Sequence, residues 1–448
     1  MARSAHSPTA SGREISTDAL FPKPAATLTL PDVRRRIVAS GPLLAAMGLY
    51  ALRSARQYSS PELWAEELAV LNLSVTEGTR AALAPMGGQF TPVTNAPIAF
   101  GSIWPLRLPW VLALSAIAVF CLTSLLFAIP PSRVFDNKGR NWIPLVLALV
   151  PVAPEMYGVG LYNFWWAGLW PVAVWTWDLD RPFWRRVALV VMVGASLTSL
   201  AASVAGPLFL CIGALTRSRR TAVLGAAAVP GFIVQALCAR AGGRVSEGLS
   251  VPEFTVQTLH MIGKFVWARL QWNGPPSWPL VEPRQLTAAT GVAVLFLFVR
   301  ASSSATRSTG IALRGLMGFV IAFSALSAAA RPGQPLNPLV AGPRYFFLPF
   351  AVLAVGLLAL SLDVTGALVI RVSAAAALLL GSLALSVGFA RPTPTQPVNL
   401  RDAIRACASD PAPLSLIRGQ EDGFQPLWQF SFPTSWCRAQ QSPESAQR

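Results

Sequence analysis

Residues 111–129 read VLALSAIAVFCLTSLLFAI, a run without a single charged side chain. About 18 consecutive apolar residues suffice to carry a helix across roughly 30 Å of hydrocarbon. Comparable runs lie at 37–52, 142–156, 161–177, 187–204, 206–216, 221–239, 286–300, 311–329, 345–361 and 366–388, for about eleven spans in all. The run 206–216 is too short to cross alone and is expected to join its neighbour as a broken or re-entrant element. No segments of about 10 residues alternate between apolar and polar, as a membrane barrel requires. The expected fold class is therefore all-α: a polytopic helical membrane protein with interfacial helices in large extracytoplasmic loops.

Composition agrees. Of 448 residues, 53% are hydrophobic and 12% charged, the latter about half the usual share of soluble domains. Mean hydropathy is +0.50. The net charge of +16 would suit nucleic acid, but no zinc spacing, RNP-like motif or long basic stripe accompanies it. Its placement speaks of topology instead. With the N-terminus inside, every second loop is basic: Arg133, Lys138 and Arg140; Arg181, Arg185 and Arg186; Arg217, Arg219 and Arg220; Arg300, Arg307 and Arg314. These short loops obey the positive-inside rule, while the turn 362–365 carries no basic residue. Residues 1–33 lack an apolar core and read as a disordered cytoplasmic tail rather than a signal peptide. A transmembrane domain then occupies 34–390, with extracytoplasmic loops at 53–107 and 240–285, and a small extracytoplasmic tail fills 391–448.

Acidic residues are scarce, so their positions carry weight. The first outer loop holds Ser60-Pro-Glu-Leu-Trp-Ala-Glu-Glu67. Glu66 and Glu67 are either solvated acids or a general-base pair of which only one can face a given cleft, since adjacent helical residues point about 100° apart. Glu155 stands in a short Pro-bounded loop between two apolar runs, where an acid near the bilayer marks a functional site by default. The cluster Tyr162-Asn-Phe-Trp-Trp166 reads equally as an interfacial aromatic belt or as one wall of a sugar or lipid cleft. Arg344 heads a span on the outer side, against the positive-inside bias, where it either snorkels or binds phosphate. Residues 252–272 have an apolar stripe, Val256, Leu259, Ile262, Val266 and Leu270, fit for a helix lying in the membrane plane or packed on neighbouring spans. His260, Lys264 and Arg269 on it are weaker candidates. Cys407 and Cys437, in the outer tail, are expected to pair as a disulfide, worth roughly 3–4 kcal/mol for a loop of about 30 residues. No Cys/His cluster proposes a metal site, and no P-loop, G-x-S-x-G or H-E-x-x-H motif is present.

In order and spacing, Ser60 to Glu67, Pro151 to Glu155 with Asn163 and Trp166, and Pro343-Arg-Tyr-Phe346 resemble a broad group of bacterial membrane glycosyltransferases of the GT-C class. The segments Ser196-Leu-Thr-Ser-Leu200 and Gly206-Pro-Leu-Phe209 are similar as well. The resemblance covers about residues 35–390. It implies a bacterial inner-membrane enzyme that moves a sugar, with inversion, from a polyprenyl-phosphate donor to a cell-envelope glycan or lipid acceptor on the extracytoplasmic face. It implies Glu66, Glu67 and Glu155 as catalytic acids, Arg344 and Lys264 at the donor phosphate, and Trp64, Tyr345, Asn163, Trp166, His260 and Arg269 in the substrate cleft. A divalent cation is left open. One departure stands out: the group's usual Trp-Ala-Glu-Asp-Gly is Trp64-Ala-Glu-Glu-Leu68 here, so the turn glycine is lost. Rival readings are a flippase or transporter of lipid-linked saccharide, a polysaccharide polymerase, and a membrane scaffold. No internal repeat of the transporter kind is visible.

Overall fold

A computed structural model describes residues 30–55, 63, 65–152, 156–242, 250–267, 284–330, 344–363, 366–383, 404–407, 414–418 and 428–440. Contacts divide the chain into Met1–Gly41 and Pro42–Arg448. The described part of the first unit is the opening of helix α1 (Leu30–Arg53); the remaining elements belong to the second. In order these are α2 (Ala65–Glu77), α3 (Pro92–Gly101), α4 (Leu108–Ala128), α5 (Asn137–Ala148), α6 (Asn163–Ala167), α7 (Trp170–Thr176), α8 (Pro182–Thr198), α9 (Leu200–Ser203), α10 (Ala205–Leu215), α11 (Arg219–Ala241), α12 (Val251–Trp267), α13 (Arg284–Ser304), α14 (Arg307–Ala330), α15 (Arg344–Leu362) and α16 (Leu368–Leu383). Strands β1 (Leu414–Arg418) and β2 (Trp428–Phe432) and helix α17 (Thr434–Ala439) follow. The strands pair antiparallel, Leu414 opposite Phe432 and Arg418 opposite Trp428. The bundle is all-helical, and the small ribbon in the tail is an addition that the sequence reading did not include.

Among the described residues, five helices are long and apolar enough to cross a membrane: Leu108–Ala128, Arg219–Ala241, Gln285–Ser304, Ser308–Ala330 and Arg344–Leu362. This marks the chain as a membrane protein. Helix ends differ from the apolar runs in both directions, because capping groups and irregular backbone rather than hydropathy set them. Thus α5 starts at Asn137, where the Asp136 carboxylate caps it by accepting from Gly139 N at 2.6 Å. It stops at Ala148, well short of 156. The expected boundary near residue 205 moves to Ser199, whose extended backbone (φ −143°, ψ 125°) ends α8 and whose hydroxyl caps α9. The short run 206–216 is thereby lengthened to Leu200–Leu215 with a break between α9 and α10.

Helix α15 forms the axis. Its residues are buried without interruption from Phe346 to Leu360, the signature of a helix surrounded on all sides. At one end of the bundle the basic turns meet. Asp178 N donates to Pro131 O at 2.7 Å and Arg133 N to Thr176 O at 3.0 Å. The Arg133 guanidinium donates twice to Trp175 O, at 3.1 and 2.6 Å, and lies 4.5 Å from a Trp175 ring centroid. Burial lowers its pKa to about 10, with the Asp178 charge acting in the opposite direction, so it stays cationic at neutral pH. Arg220 pairs with Asp180, and Trp175 Nε1 reaches Ala312 O at 2.8 Å. A Cβ on Gly139 would stand 3.1 Å from Leu362, which brings the end of α15, before the turn that carries no basic residue, to the same end.

Helix α12 packs on neighbouring helices through one part of its length. Its second half is buried against α13, α14 and α16, with Phe265 edge-on to Phe350 at 5.3 Å. Gly263 explains itself here: an added Cβ would fall on the Thr287 carbonyl oxygen of α13, and one on Gly291 would fall on Leu259 O. Gly263→Ala should therefore lower stability in detergent by about 1–3 kcal/mol, outweighing the roughly 1 kcal/mol that alanine gains in a helix. Gly194→Ala in α8, with nothing within 4 Å, should be neutral or stabilising. Thermal unfolding of the two variants checks the contrast.

Candidate functional site

At the end of the bundle away from the paired basic turns lies a cavity of ≈ 360 Å³. Six stretches build it. Val70 comes from α2; Gln89 and Thr91 from the segment leading into α3, and Thr94 and Asn95 from its first turn; Leu161, Tyr162, Phe164 and Trp165 from the turn before and within α6; Leu200 and Ala201 from α9; Arg344 and Tyr345 from the head of α15. Leu326 and Ala330 near the end of α14 complete an apolar side. The site is thus a guanidinium, four aromatic side chains and several hydroxyl and amide groups beside an aliphatic surface.

Its polar wall is held by the backbone of the loops. Thr94 donates to Leu161 O at 3.3 Å, while Leu161 N donates to Glu67 Oε1 at 2.9 Å, so both polar groups of one lining residue are fixed. Asn95 donates to Ala84 O at 2.8 Å and accepts from Thr91 Oγ1 at 3.3 Å. Val93 N donates to Thr198 Oγ1 at 3.0 Å, tying α3 to the end of α8. Buried Gln235 of α11 grips Phe90 on both sides, accepting from its N at 3.1 Å and donating to its O at 2.6 Å. Tyr345 meets Trp165 edge-on at 6.1 Å, and the Arg344 guanidinium lies 5.6 Å from the Tyr345 ring centroid.

The residues singled out in the sequence fare unequally. Arg344 and Tyr345 line the cavity. Glu67 is fully buried and is absent from the described lining; it stands one layer behind, holding Leu161. Asn163 is also fully buried and donates to Ser115 Oγ at 3.0 Å, away from the described lining. Trp166 belongs to the core: its Nε1 donates to Met156 O at 3.0 Å, and its ring packs with Tyr50, Phe120, Tyr157 and Phe347. An indole that wide is buried most readily among other rings, which is why it is no cleft residue. His260 bonds Thr287 across the α12–α13 contact. Lys264 is buried with its Nζ 5.5 Å from the Phe346 ring centroid, below Arg344 on α15 and outside the described lining. Trp64, Glu155 and Arg269, and the side chain of Glu66, fall outside the described residues. Cys407 and Cys437 form the expected disulfide, with Cα atoms 5.9 Å apart. Among the described residues, no three His, Cys, Asp or Glu side chains gather as a metal site.

The sequence reading missed Arg53. At the end of α1 its guanidinium is buried and donates to Ala148, Val150 and Val152 carbonyls at 2.8, 2.9 and 2.5 Å. It also lies 3.7 Å above the Tyr157 ring, close enough for a cation–π contact. An arginine ending a span on the expected outer side was the same anomaly that flagged Arg344, so a signal existed. Thr94, Asn95 and Gln235 offered none.

Fold and site together define a multispan helical membrane protein with an arginine-headed, aromatic cavity at one end of its bundle. No family model matches the chain, and no curated protein matches it in sequence.

Substitutions at two residues probe this scaffold. Arg53→Met should cost about 3 kcal/mol or more, because three buried carbonyls lose a charged donor, and Arg53→Lys should recover only part, an ammonium being unable to span all three. Glu67→Ala, which strands Leu161 N, should cost about 1–3 kcal/mol, whereas Glu67→Gln keeps an acceptor and should cost less. Melting temperatures in one detergent rank the four variants.

Proposed function

We propose that the chain is a membrane glycosyltransferase that moves a sugar from a polyprenyl-phosphate donor to an acceptor hydroxyl on the extracytoplasmic face of a bacterial inner membrane. In this reading the bundle makes about eleven crossings, the N-terminus is cytoplasmic, and the paired basic turns face the cytoplasm as the positive-inside rule requires. The observation that carries it is the head of α15: Arg344 and Tyr345 open onto a cavity that also gathers Tyr162, Trp165 and a fixed row of hydroxyl and amide groups. A guanidinium suits a phosphate, aromatic faces and amides suit a sugar ring, and the aliphatic side suits the first isoprene units.

The chemistry divides accordingly. Arg344 holds the donor phosphate and stabilises the charge that grows on it as the bond from anomeric carbon to phosphate oxygen breaks. A carboxylate accepts the acceptor's hydroxyl proton as its oxygen bonds the anomeric carbon from the opposite side, which inverts that centre and releases the polyprenyl phosphate. Glu67, buried and engaged with Leu161 N, serves the wall, and the base falls to Glu66 or Glu155. Lys264, buried beneath Arg344, adds positive charge to the phosphate end. Acceptor glycan or lipid, donor sugar and any divalent cation are matters for the assay.

The test uses the purified full chain in nanodiscs with a panel of polyprenyl-phosphate sugars and envelope acceptors. Arg344→Ala should cut turnover by about 100-fold or more. Glu66→Gln or Glu155→Gln should cut it by roughly 100- to 10,000-fold, and Glu67→Gln by much less. Turnover that survives both Glu66→Gln and Glu155→Gln sinks the base assignment. Movement of lipid-linked glycan between leaflets with no transfer sinks the enzyme reading in favour of a flippase.

A further inference from the structure

The described parts of the C-terminal tail pack against α2, a helix that contributes Val70 to the cavity lining. Ile404, Cys407, Phe432 and Cys437 are all buried, and they pack in one cluster with Leu63, Leu68 and Leu71. Strand β2 lies on α2, and the Phe432 and Trp436 rings stack with centroids 5.2 Å apart. The disulfide ties the 404–407 turn, which lies before the ribbon, to α17, which lies after it. On α2 one short stretch serves both sides: Leu68, Val70 and Leu71 belong to the cluster that holds the tail, while Val70 also lines the cavity and Glu67 holds Leu161.

We infer that the disulfide-closed tail is a brace for the binding cavity, pressing α2 inward so that Glu67 keeps the 160–162 turn in place. Tail, helix, carboxylate and cavity wall form one continuous series of contacts. An apolar contact of this size has little to hold it if the 404–407 turn and α17 are free to part, and the bridge removes that freedom. Because disulfides persist outside a reducing cytoplasm, the wall is completed only when the tail has reached an oxidising compartment. The inference concerns the wall alone and does not rest on the transferase reading.

Hydrogen exchange on the full chain in nanodiscs tests it, before and after treatment with a water-soluble phosphine. The phosphine donates two electrons to the S–S bond and becomes its oxide, with water supplying the oxygen and the two thiol protons. Cys121, Cys211 and Cys238 are free and present no further bond to it. Peptides covering α2 and 156–162 should then exchange roughly tenfold faster or more, while peptides covering 130–136 and 172–178 keep their rates. Phe432→Ala, which leaves the bridge intact, should give the same pattern at smaller amplitude. Faster exchange in the tail alone, with 156–162 unchanged, would show the tail to be a passenger. Uniform acceleration over the whole chain would make the bridge a general staple rather than a brace. Either result overturns the inference, independently of any sugar-transfer assay.

Discussion

Backbone amides and carbonyls that leave helical geometry inside an apolar bundle must find partners within the protein, because hydrocarbon offers none. This chain meets the requirement with side chains. Arg53 covers three carbonyls of the 148–152 turn, Tyr157 donates to Leu147 O at 3.1 Å, and Tyr50 accepts from Gly158 N at 3.1 Å. Trp166 serves Met156, Glu67 and Thr94 serve Leu161, and Gln235 serves Phe90. Irregular backbone can therefore sit between helices, and a polar cavity can exist between them. Much of the scarce polarity of this sequence is committed to that task.

The division of labour shapes the site. Groups aimed at backbone are buried and fixed, whereas Arg344 and Tyr345 stand at a helix head whose remaining length is sealed in the core. A rigid axis fixes the place of its cationic tip. The loops around it are anchored at their hydrogen-bonded points to α8 and α11, and the tail adds its weight on α2. Precision at the cavity thus comes from the scaffold and not from the loops' own secondary structure.

How far the sequence disclosed this depends on what kind of information each feature carries. Apolar runs such as 111–129 are readable because partitioning is a property of residues taken singly, and Leu108–Ala128 duly emerges as a helix. Ends are less readable: α8 begins at Pro182, well before its apolar run, because proline suits the first helical turn. Arg344 was found through its defiance of the charge rule, and Cys407 with Cys437 through a shared tail. Glu67 was found but its task was not, since a carboxylate that binds a backbone N–H and one that takes a proton look alike in a string of letters. Trp166 and Asn163 sat in a cluster that composition alone could not divide into core and surface; Tyr162, Phe164 and Trp165 of that cluster line the cavity. Thr94 and Gln235 act through a partner distant in the chain, and nothing local announces such a pairing.

The axial helix has a temporal implication. Arg344–Leu362 is buried on every side, yet it stands late in a chain of 448 residues. During synthesis all the helices that will surround it except α16 are made first and must wait around an unfilled centre, their inward faces turned to lipid or to one another. The bundle can close only when this segment, the last of the five long apolar helices among the described residues, slides into its slot, so a chain cut short before it would be a ring without a hub.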